Sequence, residues 1–370
     1  MKKKLLVFHP YLATYRVDVY NEFNKDYELE VLLTGPQEEL DALGFNLEEV
    51  NARAEFKYTY FNDAKYVGRH PMSTIFWKKI KQFKPDIVLA HEYGINTIAA
   101  ILAKPFFNYK LYLTCDDNVQ MAAEYTWSRS MLRRFVVAHV DGFVCVSPQT
   151  VDYLHRKYEG KDCRFGYFPI IQNDKILAHS ISLASSKALE YESMYNLADK
   201  KVLLFVGRLE PVKCVDMAID AFKAVCKDDY RFVIVGRGQQ EAKLKKQVEN
   251  YGMSNHVLFT GPLSGTDLYG WYYLSKLFIL PSNHESFGAV VNEALVGGCR
   301  VIASDHCGSA ALVNNSNGVV FESGNQKQLE ATLEKEMAQL PSTKSHESKM
   351  PKTFSAYYND LLSLIDPKRD

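Results

Sequence analysis

Residues 280–294 read LPSNHESFGAVVNEA, and this stretch predicts a strand that passes through a tight loop into a helix. The apolar run 277–280 is typical of a buried strand, and the residues after Gly288 are typical of a helix. Gly288 lets the backbone approach a ligand closely, and amides at a helix start can hold phosphate oxygens. Glu285 in the loop and Glu293 in the helix then flank a ligand site. Taken alone, the two carboxylates also fit an ordinary loop with a capping glutamate.

The same alternation of apolar strands and helix-like segments runs through the whole chain. Strands of continuous apolar character separated by helices predict parallel sheets that are covered on both faces. The expected strands are 5–8, 29–33, 87–90, 110–114 and 142–146 in the first half, and 202–206, 231–235, 257–260, 277–280, 300–303 and 318–321 in the second. Each half therefore reads as a separate α/β domain, which suits a chain of 370 residues.

The domain boundaries are predicted from the segments that carry few strand signals. The first domain is expected to cover 1–170 and the second 171–350. The second begins with two helices, 176–188 and 189–197. Residues 351–370 form a last helix that could cross back to the first domain.

The composition excludes some classes of function. Lys+Arg and Asp+Glu number 44 each, so the bulk charge does not indicate a nucleic-acid partner. The seven cysteines are odd in number and show no C-x-x-C spacing, which favours a reducing compartment. No apolar run approaches the length of a signal core or a membrane span. We therefore expect a cytoplasmic protein.

One basic amphipathic stretch, WKKIKQFK at residues 77–84, leaves two interpretations open. A solvated helix face is the simpler one. The alternative is a peripheral contact with the inner face of a membrane, to which Arg129, Arg133 and Arg134 could add.

The pattern P-S-x-x-E-S-F-G-x-V-x-x-E-A, followed by GGCRVIAS at 297–304, resembles glycosyltransferase family 4, the group 1 glycosyltransferases. FVGRLEPVK at 205–213, VGRG at 235–238 and LFTG at 258–261 extend the resemblance over the second domain. It implies the GT-B fold, in which two Rossmann-like, doubly wound domains face a central cleft. It also implies a retaining, metal-independent enzyme that moves a sugar from a UDP- or GDP-linked donor to a glycan or lipid-linked glycan. Surface polysaccharide assembly is the natural setting.

The resemblance also implies roles for particular residues. Glu293 would bind the ribose hydroxyls, and Glu285 would hold sugar hydroxyls near the reacting carbon. Arg208 and Lys213 would bind the diphosphate, whose negative charge grows as it leaves. The other donor contacts implied are Gly207, Gly236, Ser286, Phe287, Gly288 and Val290. No metal and no cofactor are expected.

The first domain fits the family less closely. The loop HPYLATYR at 9–16 lacks the Gly-Gly often found there, so His9 and Arg16 are either acceptor or phosphate contacts or parts of a capped turn. Many relatives carry a sugar-binding His after the strand 110–114, where this chain has CDDN. Asp116 or Asp117 could take over sugar binding, or could cap the strand end.

Two other functions remain compatible with the sequence, and two other sites are excluded by it. A GT-B-like nucleotide-sugar epimerase and a degenerate, non-catalytic binding module remain alternatives. The start of a zinc motif at His284 fails because its fifth position is Gly288, and the start of a dinucleotide fingerprint at Gly236 fails at Glu241.

Overall fold

The computed structural model describes residues 2–35, 47–60, 65–67, 70–72, 75–123 and 126–367. The chain divides into two compact units, Met1–Gln172 with Phe354–Asp370 and Asn173–Thr353. The sequence placed the corresponding boundaries at 170/171 and 350/351. Both units are α/β structures built on a parallel sheet, so the predicted fold class is confirmed.

The first unit contains a seven-stranded sheet in the order β3-β2-β1-β6-β7-β8-β9. All neighbouring strands pair in parallel. The strands are β1 (Lys4–His9), β2 (Glu28–Leu33), β3 (Tyr58–Tyr60), β6 (Ile87–His91), β7 (Lys110–Cys115), β8 (Gly142–Cys145) and β9 (Arg164–Tyr167), and a separate antiparallel pair is formed by β4 (Lys65–Val67) and β5 (His70–Met72). The central strands are buried on both faces, which explains why β1 is an unbroken apolar run.

Helices cover both faces of this sheet. They are α1 (Thr14–Asp26), α2 (Leu47–Arg53), α3 (Ile75–Phe83), α4 (Ile95–Phe107), α5 (Val119–Ala123), α6 (Trp127–Val137) and α7 (Pro148–Lys157). The last helix of the chain, α15 (Phe354–Ile365), also belongs to this unit and packs against β9. Gly166 of β9 permits this contact, because a Cβ there would lie 2.4 Å from Leu364.

The five strands predicted for this half are confirmed to within one residue. The sequence missed the three-residue strands β4 and β5, and in the seven-stranded sheet it missed β3 and β9. Both are short edge strands that are only partly buried, so neither shows a continuous apolar run. A helix was expected over 73–83. The structure places α3 at Ile75–Phe83, and residues 73 and 74 lie outside the described residues.

The second unit contains a six-stranded parallel sheet in the order β12-β11-β10-β13-β14-β15. Its strands are β10 (Lys201–Val206), β11 (Tyr230–Val235), β12 (Val257–Gly261), β13 (Leu277–Leu280), β14 (Arg300–Ser304) and β15 (Gly318–Phe321). Its helices are α8 (Asp174–Leu183), α9 (Ser185–Met194), α10 (Val215–Val225), α11 (Glu241–Asn250), α12 (Gly265–Leu274), α13 (Val290–Val296) and α14 (Gln326–Gln339). All six predicted strands are confirmed to within one residue.

The predicted break between the first two helices of this unit was wrong. It was expected at 188/189, and the structure places it at Ala184, between α8 and α9. No Gly or Pro marks this point in the sequence. The break depends on packing, because α9 lies on α12, where the ring of Tyr191 stacks on Trp271 at a centroid distance of 4.5 Å.

The strand order fixes where a ligand site can lie in each unit. The order reverses between β1 and β6 in the first sheet, and between β10 and β13 in the second. Loops at the carboxyl ends of such strand pairs diverge and leave a crevice that is the usual binding site of doubly wound folds. Within the part of the chain that the structure describes, every helix is too short or too polar to span a bilayer.

The crevice of the second unit depends on the close approach of two loops, which we expect a single methyl group to disrupt. Gly236 has φ +141°, and a Cβ there would lie 1.9 Å from the carbonyl oxygen of Gly207. Gly236→Ala should therefore lower the free energy of unfolding by about 3 kcal/mol or more, measured by urea denaturation.

Gly252→Ala is the matched control. Gly252 also has a positive φ, +67°, but no atom lies within 4 Å of its added Cβ. This variant should lose only about 1–2 kcal/mol, the cost of a left-handed backbone. An equal loss of unfolding free energy in the two variants would contradict a destabilising clash between the added methyl group and Gly207.

Candidate functional site

The crevice of the second unit brings together Lys213 and Glu285, which form an ion pair. Lys213 ends a 3₁₀ turn, Pro211–Lys213, that follows β10, and Glu285 lies in the loop after β13. Their side chains are only 13% and 17% exposed. Two residues that are 72 positions apart in the chain therefore meet where the strand order predicts a binding site.

Backbone hydrogen bonds hold the two loops of this pair together. The amide of Asn283 donates to the carbonyl of Val212 at 3.0 Å, and the amide of Lys213 donates to the carbonyl of Glu210 at 2.9 Å. Cys214, directly after the turn, adopts a left-handed conformation with φ +49°. The ammonium group is thus positioned by a constrained turn and not by a long flexible loop.

A second turn, Gly308–Leu312, supports the loop that carries Glu285. Glu285 forms a parallel bridge with Cys307, and the amide of Ser309 donates to the carbonyl of Phe287 at 2.8 Å. A Cβ on Gly308 would lie 2.2 Å from the carbonyl oxygen of Ser286, so only glycine permits this contact. Backbone hydrogen bonds thus hold this loop on both sides.

Gly288 and Gly236 have clear structural reasons to be glycine. Gly288 has φ +91°, and a Cβ there would lie 2.6 Å from Leu280. Gly236 faces Gly207, whose amide donates to the carbonyl of Val235 at 3.0 Å. The packing explains these residues fully, and their contact with a donor stays a prediction.

The other residues predicted to bind the donor also lie around this crevice. Arg208 follows β10, is exposed, and makes no salt bridge within the described part of the chain. Ser286 and Val290 are partly exposed, whereas the Phe287 side chain is 2% exposed, so only its backbone can meet a ligand. Glu293 lies on α13. Burial, and next the charge of Glu293, raise the pKa of the Tyr272 phenol well above its usual value.

Two serine hydroxyls beside this crevice were not singled out from the sequence. The Oγ atoms of Ser282 and Ser309 are buried and have no hydrogen-bond partner among the described residues. Ser309 Oγ lies 3.0 Å from the place where a Cβ on Gly288 would stand. Buried hydroxyls are normally bonded, so these two are available to a ligand. Ser282 lies within the quoted motif but was given no role there, and Ser309 lies beyond Ser304, where the last matched stretch ends.

In the first unit, His9 and His91 meet at the carboxyl ends of β1 and β6, where the strand order reverses. Their ring centroids are 4.0 Å apart. His9 Nδ1 lies 2.5 Å from the carbonyl oxygen of Tyr11, and His91 Nδ1 lies 2.9 Å from the hydroxyl of Thr114. The Nε2 atom of His9 is buried without a partner in the described residues. His91 was not singled out from the sequence.

Arg16 neutralises the charge of Asp116 beside these histidines. One guanidinium nitrogen donates to both carboxylate oxygens at 2.6 Å. Burial acts to raise the pKa of Asp116, but Arg16 and His91 outweigh it and hold the pKa below its usual value. Burial lowers the pKa of His91 to about 4, and Asp116 opposes that shift. The imidazole of His91 is therefore neutral at pH 7.

Asp117 belongs to a different cluster. Arg133 donates to it at 2.6 Å and lies 4.2 Å from the ring centroid of Tyr93. Glu92 accepts a hydrogen bond from the amide of Asp116 at 2.7 Å and has φ +54°, a strained backbone for a residue that is not glycine. Burial, and then the charges of Asp117 and Asp116, raise the pKa of Glu92 above its usual value.

The structure thus shows where the residues predicted to bind a ligand in the first unit lie, and the binding itself stays a prediction. The structure brings His9, Arg16 and Asp116 into one cluster and puts Asp117 in another. Both carboxylates are engaged by arginine, so binding a sugar would require them to share these contacts. Their part in sugar binding stays a prediction.

Two sets of side chains in the described residues have the geometry to hold a cation. The potential ligand atoms of His9, His91 and Asp116 lie within 4.8 Å of one another, as do those in the set of Glu92, Cys115 and Asp117. In both sets an arginine already supplies positive charge to the carboxylate.

The neutral state of His91 makes the stability of the protein depend on pH. Because the pKa of about 4 lies below the ordinary 6.5, the unfolded chain binds the proton more readily. The free energy of unfolding should have its full value above pH 6.5 and should fall as the pH drops towards 4. At pH 5 the loss from His91 is up to about 2 kcal/mol.

Asn cannot titrate, so the loss of stability between pH 8 and pH 5 should be smaller in His91→Asn, by thermal or urea denaturation. The exposed His179 of α8 provides the control, and His179→Asn should behave as the unmodified chain. Unchanged pH dependence in His91→Asn would contradict a buried neutral imidazole.

Comparison with known families supports the two-unit division. The model described as Glycosyltransferase Family 4 matches residues 13–165, and the model described as Glycosyl transferases group 1 matches residues 192–348. The first match lies in the first unit and the second match in the second unit. Together they cover most of the chain.

Curated relatives match parts of the chain at low identity. The 2-deoxystreptamine N-acetyl-D-glucosaminyltransferase of Niallia circulans is 27% identical over 148 residues, 40% of this chain and 37% of that protein. The lipopolysaccharide core biosynthesis mannosyltransferase of Rhizobium meliloti is 25% identical over 252 residues, 65% of each protein. The chain thus spans less than two thirds of the length of either relative.

A solved structure matches nearly the full chain. The Anabaena protein HepE, crystallised in complex with UDP, has a TM-score of 0.71 and 16% identity, and the match covers 99% of this chain and 95% of that one. At this identity the likeness shows the fold alone. It confirms the prediction of a two-domain GT-B fold.

Proposed function

This chain belongs to glycosyltransferase family 4, the group 1 glycosyltransferases, and we propose that it transfers a sugar from a UDP- or GDP-linked donor to a glycan or lipid-linked glycan. The observation that carries the proposal is the ion pair of Lys213 and Glu285 in the crevice of the second unit. The pair places a cation that can bind the diphosphate beside a carboxylate that can accept hydrogen bonds from the sugar.

The positive groups would stabilise the leaving group. When the bond between the anomeric carbon and the diphosphate breaks, negative charge develops on the phosphate oxygens. Lys213 is largely buried, so its interaction with that charge is screened less than on an open surface. Arg208, exposed at the end of β10, can add a bidentate contact.

The carboxylates would orient the donor and take no covalent part in the reaction. Glu285, held by Lys213, would accept hydrogen bonds from sugar hydroxyls, and Glu293 on α13 would do the same for the ribose. The unpaired hydroxyl of Ser309 offers one more polar contact. A carboxylate engaged by an ammonium group is a poor nucleophile, which supports a direct displacement.

In this mechanism the acceptor attacks the face that the diphosphate leaves. The acceptor oxygen bonds to the anomeric carbon, the carbon–oxygen bond to the diphosphate breaks, and the acceptor proton passes to a phosphate oxygen of the leaving group. The configuration at the anomeric carbon is retained. The reaction needs no metal, because Arg208 and Lys213 supply the positive charge.

The setting we propose is surface polysaccharide assembly on the cytoplasmic side of a membrane. The relative from Rhizobium meliloti acts in lipopolysaccharide core biosynthesis, and HepE was crystallised with UDP, which supports this class of donor and product. All seven cysteines are free thiols, which fits a reducing compartment.

The diphosphate contacts can be tested by the release of UDP from UDP-glucose, or of GDP from GDP-mannose, in the presence of glycan and lipid extracts. Lys213→Ala, Arg208→Ala and Glu285→Ala should each lower turnover by about a hundredfold or more, because each removes charge or positioning at the leaving group. Lys246→Ala, an exposed lysine of α11, is the control and should retain full turnover.

The same assay tests the two finer claims. Turnover should persist in a chelator, and loss that manganese or magnesium restores would contradict the metal-independent mechanism. A near-native turnover of Lys213→Ala would contradict the proposed contact between Lys213 and the diphosphate. If neither UDP nor GDP is released with any extract, the non-catalytic binding module is favoured.

A further inference from the structure

The helix that carries Glu293 is too short to hold its own position. α13 (Val290–Val296) has seven residues, and an isolated helix of this length is not stable in water. Five of the seven side chains are buried, whereas Glu293 is partly exposed at the crevice. The place of the Glu293 carboxylate therefore depends on the segments that pack against α13.

Residues 344–350, which we name the 344–350 segment, lie against α13 without forming a helix or a strand. The side-chain amide of Asn292, on α13, donates to Met350 Sδ at 3.4 Å. Just after the helix, Gly298 has φ +79°, and a Cβ there would lie 2.4 Å from the carbonyl oxygen of Ser345. Only glycine permits so close an approach of the segment to the end of α13.

Lys349 joins this segment to α13 through both its backbone and its side chain. Its main-chain amide donates to the carbonyl of Leu295 at 2.8 Å, and its ammonium group donates to the carbonyl of Gly298 at 2.8 Å. Its own carbonyl accepts a hydrogen bond at 2.9 Å from the side-chain amide of Asn317, which is buried directly before β15. Lys349 therefore links the end of α13 to the sheet.

The ammonium group suits this position electrostatically. The last carbonyl groups of a helix have no partner within the helix, and the helix dipole places partial negative charge at this end. Lys349 is half-buried and makes no ion pair within the described part of the chain, so its charge meets these carbonyl groups. A side chain of the same length without charge could not replace that interaction.

The same segment also holds a residue that neighbours Glu293. Lys344 Nζ donates to the carbonyl of Tyr272 at 2.5 Å. Tyr272 is fully buried, and a Cβ on Gly297, at the end of α13, would lie 3.2 Å from its Cβ. After burial, the charge of Glu293 is the largest influence that raises the pKa of the Tyr272 phenol. Two lysines of the 344–350 segment thus hold the surroundings of Glu293.

We propose that Lys349 is a positioning residue for the donor, because it fixes the carboxyl end of α13 and thereby sets the place of the Glu293 carboxylate. The inference rests on the proposed function, in which Glu293 binds the ribose of the nucleotide. Lys349 acts through Glu293 and takes no part in the chemical step. Loss of its ammonium group should therefore weaken the recognition of the ribose hydroxyls in particular.

Titration calorimetry with UDP, and with the UDP analogue whose ribose lacks both hydroxyls, measures this recognition; GDP and its analogue are used in the same way. The unmodified chain should prefer the ribonucleotide by at least about tenfold, as hydrogen bonds to a carboxylate usually provide. Lys349→Met keeps the aliphatic stem but loses the charge, and should lower that preference by about threefold or more. Lys349→Arg should keep it, since a guanidinium group also donates to a carbonyl.

Lys201→Met is the matched control. Lys201 is also half-buried, and its ammonium group donates at 3.2 Å to the carbonyl of Met337, in the last turn of α14. No residue predicted to bind the donor lies on α14. The two Met variants should therefore have similar melting temperatures, whereas Lys201→Met should keep the full preference for the ribonucleotide.

Hydrogen exchange of the peptides that cover residues 290–298, followed by mass spectrometry, tests the same inference without a nucleotide. These amides should exchange at least about threefold faster in Lys349→Met than in the unmodified chain, because α13 loses one of its attachments. Their exchange should be unchanged in Lys201→Met. Unchanged exchange in Lys349→Met would contradict the hold of Lys349 on α13.

The outcomes separate this inference from the proposed function. If Glu293→Ala loses the preference for the ribonucleotide and Lys349→Met retains it, the positioning role of Lys349 is overturned and the role of Glu293 stands. If Glu293→Ala retains the preference, the ribose contact of Glu293 is contradicted, and the positioning role falls with it. An equal loss of preference in Lys201→Met also overturns the positioning role, because any lysine at a helix end would then have the same effect.

Discussion

The ion pair between Lys213 and Glu285 is the interaction on which the second unit's site depends. Both groups are largely withdrawn from water, so each would be costly to bury alone, and removal of either partner leaves an uncompensated charge. The surrounding loops are built to keep the pair together. A hydrogen bond from Asn283 to Val212 joins them, and the bridge from Glu285 to Cys307 adds a third segment. A nucleoside diphosphate entering this crevice would meet charges that are already in place, which is the basis of electrostatic catalysis.

The first unit uses the same topological position in a different way. Its strand order also reverses at one point, yet the groups found there are His9 and His91, with Asp116 held by Arg16. The second unit adds the exposed cation of Arg208 to the pair of Lys213 and Glu285, whereas this cluster is close to neutral. A neutral polar surface suits hydroxyl groups, as an acceptor or a sugar would present.

The sequence predicted the sheets well, and the residues it proposed for the donor site lie around one crevice, because both depend on local patterns. Buried parallel strands are apolar without interruption, and the residues from Glu285 to Glu293 form one contiguous motif. The break at Ala184 and the strands β3 and β9 were missed, since packing and edge position determine them. The three-residue strands β4 and β5 were also missed, because they are too short for a pattern to show. His91, Glu92 and Ser309 gain their significance only from residues brought close by the fold, so no single stretch could reveal them.

The most direct test of the account is the melting temperature of the full chain with UDP, GDP or ADP, each added without metal. A ligand that binds only the folded state stabilises it by about 2.7 kcal/mol at a hundred times its dissociation constant. The account predicts that UDP or GDP raises the melting temperature selectively, and that the rise disappears in Lys213→Ala and in Glu293→Ala. No rise with any nucleotide, or an undiminished rise in both variants, would contradict a donor site built around Lys213 and Glu285.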